Sequence, residues 1–188
     1  MARIPYFDPT QATEEVRTLT AALPPLNIFR MLPHAETLVR GFGQLGSAIL
    51  GRAKLDARLR ELVILRVGAR SPAAYEWQQH VPIARATGAT DDEITAMQSD
   101  RPDAPTFGAK ERAVIALTDE LLRAPRASDA TLAAMRAQFS DREVCEAILT
   151  IGFYMMVARF LGTTGVDLET GPSDAVTAMV AGLQRGSS

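Results

Sequence analysis

Two acidic side chains and a histidine near the middle of the chain have the types and the spacing for acid–base chemistry. Glu76 and His80 are four residues apart, so on an α-helix they lie on one face within reach of each other. Glu61 belongs to the apolar segment just before them, and a tight turn at residues 68–71 would fold that segment back beside the pair. Burial and mutual charge in such a trio would provide a proton donor and a proton acceptor near neutral pH. The trio therefore predicts proton transfer without a cofactor.

Each of these residues also has a structural interpretation. A Glu–His pair at this spacing is common on solvated helix faces, where it contributes only roughly 0.2–0.5 kcal/mol. Glu61 is equally compatible with a core carboxylate paired with Arg58 or Arg66. Tyr75 and Trp77 flank the pair, but aromatic side chains on helices are usually packing residues. The residues alone leave both interpretations open.

Helices must position these side chains. Asp56 opens the segment 57–69, which is so rich in leucine, isoleucine and valine that it must be mostly buried. Ser71 before Pro72 predicts the start of the next helix, and Gly88 predicts its end after about Thr87. Further helices are expected at 13–22, 28–32 (capped by Asn27), 35–50, 91–97, 109–123, 130–139 and 141–161. No segment shows strand alternation, so the predicted fold is an all-α, compact multi-helix domain whose helical hairpin carries the site.

The domain is expected to cover residues 1–170. Residues 1–11 contain Pro5 and Pro9 and are predicted to form an extended arm that packs on a neighbouring surface. Residues 171–188 form a C-terminal extension in which 173–183 has the pattern of a short helix. That helix would fold back on its own chain or dock on another subunit, and the pattern does not separate these outcomes.

Composition excludes several classes of function. The 22 acidic and 20 basic side chains leave a net charge of -2, which gives no electrostatic footprint for nucleic acid or an anionic membrane. Cys145 is the single cysteine, so no disulfide or thiolate metal cluster forms within the chain. The N-terminus lacks a signal-peptide pattern, and no run of about 18 apolar residues is seen, so a cytoplasmic protein is expected. One histidine and two glutamates would hold a metal only if both carboxylates converged, so no metal is expected.

The trio also lies in a longer motif. Arg60-Glu61-Leu62 is followed by an apolar helix, then by Tyr75-Glu76-Trp77 and His80. This pattern resembles the carboxymuconolactone decarboxylase-like superfamily over roughly residues 25–170. The segment from Asn27 to His34, the helix start at 86–94 and a closing helix with Tyr154 and Arg159 extend the resemblance.

The resemblance implies an alkylhydroperoxidase-like all-α fold in homo-oligomers, commonly trimers or hexamers, acting on a small-molecule substrate. On the decarboxylase model His80 is the proton donor or oxyanion partner, Glu76 orients it, and Glu61 is a second acid or base. The substrate is then a small carboxylated or lactone compound handled by a lyase or isomerase without a cofactor. Residues expected to contact it are Tyr75, Trp77, His34, Tyr154 and Arg159, with Arg30, Arg58 and Arg66 as further candidates for a carboxylate.

Two alternatives remain at this stage. The peroxidase branch of the superfamily places a Cys-x-x-Cys before the histidine, but Ala73 and Glu76 occupy those positions here, and Cys145 is far along the chain. Thiol peroxidase chemistry needs a nucleophilic thiolate with a resolving thiol nearby, so it is disfavoured. The other alternative is a non-catalytic oligomeric binding module, which a closed site without a cleft beside His80 would favour.

Overall fold

A computed structural model describes residues 1–71, 73–170 and 176, and within these residues the chain is helical with no strand. The helices are α1 (Glu14–Ala21), α2 (Asn27–Met31), α3 (Val39–Arg52), α4 (Ala57–Arg70), α5 (Ala74–Ala86), α6 (Asp91–Gln98), α7 (Ala109–Arg123), α8 (Asp129–Gln138) and α9 (Asp141–Thr164). The all-α fold predicted from the sequence is confirmed.

Helix α4 is the centre of the fold and packs against α5, α6, α7 and α9. The Asp56 side chain caps its first turn by accepting from the Leu59 amide. Its residues from 59 to 68 are all buried, because apolar side chains occupy every face of this stretch and neighbouring helices must cover each face. A polar side chain on α4 is therefore held in a dry and rigid setting.

The arginines of α4 need partners because a buried charge without one is costly. Arg66 donates from Nε and a terminal nitrogen to the two carboxylate oxygens of Asp119, each at 2.7 Å. Arg58 pairs with Glu93 and Glu111. Neither arginine pairs with Glu61, so the pairing weighed from the sequence is wrong for both. Through these ion pairs the two arginines attach α4 to α6 and α7.

Helix caps account for most of the agreement between predicted and observed boundaries. Thr90 and Glu93 form the capping box of α6, and Ser128 and Ser140 cap α8 and α9. Gly88, with a φ of +98°, follows the end of α5. These short polar residues fix helix starts through local hydrogen bonds, which depend little on the rest of the fold.

Three local predictions are wrong. Ser71 ends α4 and does not cap α5, whose N-terminal cap is Ala73. The helix expected from residue 35 begins at Val39, because a 3₁₀ segment from Leu32 to Leu38 with a kink at Ala35 precedes it. Asn27 lies inside α2 and does not cap it; its side chain donates to the Asp167 carbonyl.

The N-terminal arm packs on its own chain. The amides of Arg3 and Ile4 donate to the Thr164 carbonyl at 2.7 and 3.2 Å, at the end of α9. The Tyr6 hydroxyl bonds to Asp167 in the segment that follows. The C-terminal helix expected at 173–183 lies outside the described residues, apart from residue 176.

Helix α9 corrects the expectation that no segment is long and apolar enough to cross a membrane. By length and composition it could cross one, since it has 24 residues and a mean hydropathy of 1.7 over its most apolar window. Half of that window is buried inside the protein, and Thr150 and Ile151 are completely covered. A core helix passes the same test, so this hydropathy is weak evidence for a membrane span.

Candidate active site

The helical hairpin of α4 and α5 brings Glu61 and His80 into direct contact. His80 Nδ1 lies 2.8 Å from Glu61 Oε2. Glu61 is completely buried and His80 is 8% exposed. Because a carboxylate can only accept, Nδ1 carries a proton, and in the neutral form of the ring the lone pair is therefore on Nε2. The hairpin predicted from the sequence thus brings together an acid and the imidazole.

Glu61 has a second partner next to it in the sequence. Arg60 donates from Nε and a terminal nitrogen to Glu61 Oε1, both at 3.1 Å. Arg60 is itself 3% exposed, so its guanidinium supplies the positive charge that a buried carboxylate needs. Both oxygens of Glu61 are therefore occupied, one by a fixed cation and one by the imidazole.

Glu76 lies on the same face of α5 as His80 but plays a different part. It is 2% exposed, and neither carboxyl oxygen has a hydrogen-bond partner among the described residues. Burial raises the pKa of this carboxyl group to about 9, so it is a neutral acid at pH 7. The sequence pattern suggested that Glu76 orients the histidine; in the structure Glu61 holds Nδ1 instead.

A cavity of about 230 Å³ opens beside these groups. Its walls are mainly apolar and come from α2, α3, α5 and α9, with Phe29, Phe42 and Phe153 among them. The polar side chains that line it include Glu76, Gln79, His80 and Tyr154. A small, largely apolar molecule would fit such a space, since binding cavities combine apolar walls with a few polar groups.

Tyr154 of α9 covers the imidazole from the side. Its ring is perpendicular to that of His80, with the centroids 5.0 Å apart. Burial raises the pKa of the Tyr154 hydroxyl well above its usual value, and the carboxyl groups of Glu61 and Glu76 add to the increase. Tyr154 therefore stays protonated, and its hydroxyl can act only as a hydrogen-bond donor or acceptor.

Tyr75 also lines the cavity, but a neighbouring segment uses its hydroxyl. The hydroxyl donates to Glu169 Oε1 at 2.5 Å and accepts from the Ile28 amide at 3.4 Å. The same Glu169 oxygen accepts from the Asn27 amide at 2.6 Å. Burial and the neighbouring Glu169 carboxylate raise the pKa of Tyr75. Tyr75 thus fastens the segment after α9 to the wall of the cavity.

The other residues expected to contact a substrate lie elsewhere. Trp77 is half-buried on α5 and is not part of the cavity lining. His34 is exposed, and its Nε2 bonds to the Pro5 carbonyl at 2.8 Å. Arg159 is exposed and donates to the Met155 carbonyl within its own helix. Arg30 packs over the ring of Tyr6.

Sequence reasoning missed Gln79 and the aromatic walls of the cavity. Gln79 is 7% exposed, and its side-chain oxygen has no partner among the described residues. Its position three residues after Glu76 on α5 is the one signal that could have indicated it. The described residues include no group of three or more His, Cys, Asp or Glu side chains that could hold a metal.

The helical hairpin and the packing around it form an all-α fold of the alkylhydroperoxidase-like type. Residues 36–120 match the family model of the carboxymuconolactone decarboxylase family. This match and the shared fold support the resemblance to the carboxymuconolactone decarboxylase-like superfamily, and Ala73 and Glu76 stand where its peroxidase branch has a Cys-x-x-Cys. No curated protein sequence matches the chain.

Several solved structures share the fold at low sequence identity. An alkylhydroperoxidase AhpD-core, peroxidase-related protein from Ralstonia eutropha JMP134 superposes with a TM-score of 0.76 at 18% identity, covering 89% of this chain and 92% of that one. A putative antioxidant defence protein AhpD from Agrobacterium tumefaciens gives 0.68 at 21% identity, covering 74% and 96%. A variant of the debrominase Bmp8, in complex with 2,3,4-tribromopyrrole, gives 0.67 at 16% identity, covering 96% of each chain.

Proposed function

We propose that this protein is a cofactor-free acid–base enzyme, a lyase or isomerase, that moves a proton on the carbon next to a carbonyl or lactone group of a small substrate. The observation that carries the proposal is the buried bond between His80 Nδ1 and Glu61, which leaves the other ring nitrogen available in a residue that lines the cavity. Such an imidazole is a suitable general base.

His80 and Glu76 would act as a base and an acid at one site. Nε2 of His80 takes a proton from the substrate carbon while Glu61 stabilises the imidazolium that forms. The neutral carboxyl group of Glu76 donates a hydrogen bond to the oxygen on which negative charge develops. Return of the proton to the original or a conjugated carbon completes an isomerisation. In a lyase, Nε2 of His80 would instead take the proton of the substrate's carboxylic acid; loss of carbon dioxide then leaves the same enolate, and the imidazolium returns that proton to the carbon.

The cavity favours a neutral substrate over a carboxylated one. None of its described lining residues is a lysine or an arginine, and the arginines considered as carboxylate ligands, Arg58, Arg66 and Arg159, bind elsewhere. A substrate carboxylate would meet apolar walls without a counter-ion, at a high desolvation cost. Of the two substrate classes expected from the sequence, the lactone class has the better support.

Deuterium exchange at carbon tests the proposal without knowledge of the natural substrate. We expect the protein to accelerate the exchange of α-protons of 2-indanone or γ-butyrolactone in D₂O, followed by proton NMR. His80→Ala should abolish the acceleration while circular dichroism shows unchanged helicity. His34→Ala is the matched control, since His34 is the other histidine and lies on the surface. Equal exchange rates in wild-type protein and His80→Ala would refute the assignment.

The thiol peroxidase alternative has little structural support. Cys145 is exposed on α9 and is not among the residues that line the cavity. No second cysteine exists to resolve a sulfenic acid within the chain. Hydroperoxide consumption that disappears in Cys145→Ser would revive this alternative.

A closed site without a cleft beside His80 would favour the alternative of a non-catalytic binding module. A cavity adjoins His80, so this criterion does not favour the alternative.

A further inference from the structure

Three buried polar atoms on residues that line the cavity lack partners among the described residues. They are the two carboxyl oxygens of Glu76 and the side-chain oxygen of Gln79. Both residues line the cavity, and they are three apart on α5, so they share a face with His80. Proteins seldom leave buried polar atoms unsatisfied. A molecule bound in the cavity could satisfy these atoms.

We propose that the cavity takes a small neutral ring in which an N–H donor lies next to a carbonyl oxygen, as in a cyclic amide, and that Glu76 and Gln79 recognise this edge. The proposal deepens the proposed function by naming its substrate class, and it rests on that function for the location of the site. It would make Glu76 and Gln79 the residues that determine specificity.

The hydrogen-bonding capacity of the two side chains leads to this class. A neutral Glu76 offers one O–H donor and one carbonyl acceptor side by side, and a cyclic amide presents the complementary acceptor and donor. The oxygen of Gln79 is a second acceptor that can share the same N–H in a three-centre hydrogen bond, so the two side chains together favour a ligand with a donor. A carboxylate has no donor to give and would leave both acceptors unsatisfied. The site should therefore bind amides and reject anions.

The size of the cavity limits the ring. An engineered apolar cavity of about 150 Å³ in another protein accommodates benzene, and this cavity measures about 230 Å³. A substituted single ring or a small bicyclic compound would fill it. Phe42 and Phe153, whose rings lie 5.0 Å apart, provide aromatic surface for such a ring.

Binding of three matched bicyclic probes and one anion tests the proposal. Oxindole has the amide N–H and the carbonyl; 1-methyloxindole lacks the donor; 2-indanone lacks the nitrogen; phenylacetate carries a carboxylate. Dissociation constants are measured by NMR titration of the ¹⁵N-labelled full chain at pH 7. We expect oxindole to bind at least about tenfold more tightly than each of the other three.

Variants of Glu76 identify the recognising group. Glu76→Leu should remove the tenfold preference for oxindole over 1-methyloxindole. Glu76→Gln should keep it, because an amide also presents a donor beside an acceptor. Glu36→Gln, at an exposed glutamate of the 3₁₀ segment, is the control and should bind all probes as the wild type does. Gln79→Leu should weaken oxindole binding severalfold while leaving 2-indanone unaffected.

The outcomes separate this proposal from the proposed function. His80→Ala should keep the preference for oxindole but lose the exchange activity. If the wild type prefers oxindole but exchanges no α-protons, the proposed function fails and the binding proposal stands. If 1-methyloxindole or phenylacetate binds as tightly as oxindole, or if no probe binds at millimolar concentration, the binding proposal is overturned, even where exchange of 2-indanone is observed.

Discussion

Glu76 keeps its proton in the folded protein because burial disfavours the charged form of its carboxyl group. The pKa of its carboxyl group rises from 4.5 to about 9 on folding, so at intermediate pH the folded protein binds a proton that the unfolded chain releases. The stability that this proton supplies is fully present below pH 4.5 and is lost as the pH rises towards 9. A site for a neutral acid is therefore maintained at the expense of stability.

Replacing Glu76 with glutamine should remove this pH dependence. We expect Glu76→Gln to be more stable than the wild type at pH 8, and the difference to shrink by up to about 1.4 kcal/mol for each unit that the pH falls towards 5. His80 and Tyr154 face the same region but are present in both proteins, so their contributions largely cancel. Urea unfolding at a series of pH values measures the difference. A constant difference across the series would show that Glu76 is already ionised when folded.

The role of Glu61 can be tested by a nearly isosteric change. Glu61→Gln removes the carboxylate that holds the Nδ1 proton of His80 and should lower kcat for α-proton exchange by about 10²-fold or more, with little change in KM. The ¹⁵N shifts of the His80 ring distinguish its two tautomers, and a structural role alone would not change them. Unaltered kcat with unaltered ring shifts would contradict the orienting role.

At the residue scale, the sequence predicted which residues form the candidate site better than it predicted the contacts between them. Glu61, Glu76 and His80 follow from residue type and helical spacing. The partner of His80 does not follow, because a helical face allows contact with a residue four positions away as readily as with one across the hairpin. The distance of 2.8 Å to Glu61 depends on how α4 and α5 pack, which spacing along one helix does not determine.

At the scale of elements, caps and apolar periodicity predicted most helices because both act locally. The 3₁₀ segment from Leu32 to Leu38 was missed because its proline and apolar residues also suit an α-helix start. The aromatic walls of the cavity were missed for another reason. Phe42 of α3 and Phe153 of α9 are far apart in sequence, and no local signal shows that their rings meet.

The segment after α9 is an element whose attachment can be measured. Tyr75→Phe removes the hydroxyl that bonds to Glu169 and should cost about 1–3 kcal/mol of unfolding free energy, the usual range for a hydrogen bond to a charged group. Backbone amides of residues 166–170 should exchange with deuterium faster, as measured by mass spectrometry. Gln78 also bonds to the backbone of Glu169, so the segment should loosen without detaching. Unchanged deuterium exchange in this segment would show that the hydrogen bond from Tyr75 to Glu169 does not restrain it.

At the scale of the whole molecule, we propose that copies of this chain associate through the outer face of α9, as trimers or hexamers. Leu149, Ile148 and Met156 are 61%, 39% and 47% exposed on this helix. Exposed apolar side chains of this size along one helix are typical of a contact surface. The opposite face of the same helix contributes Tyr154 to the cavity. Association would therefore also stabilise the position of Tyr154.

A charge on this face should dissociate the assembly. We expect Leu149→Glu to shift the mass measured by light scattering to that of a single chain, because a buried carboxylate without a partner is strongly unfavourable. Gln138→Glu, which adds the same charge at an exposed position of α8, should leave the mass unchanged. A wild-type protein that is already monomeric at high concentration would disprove the association.

The neutral carboxyl group in an apolar recess also has a practical consequence for labelling. Hydrophobic carbodiimides add to protonated carboxyl groups, and most of the 22 acidic side chains are ionised at pH 7. Glu76 combines a pKa of about 9 with apolar walls into which such a reagent can partition. At neutral pH the reagent should mark this one glutamate ahead of the others, and a compound that fills the recess should shield it.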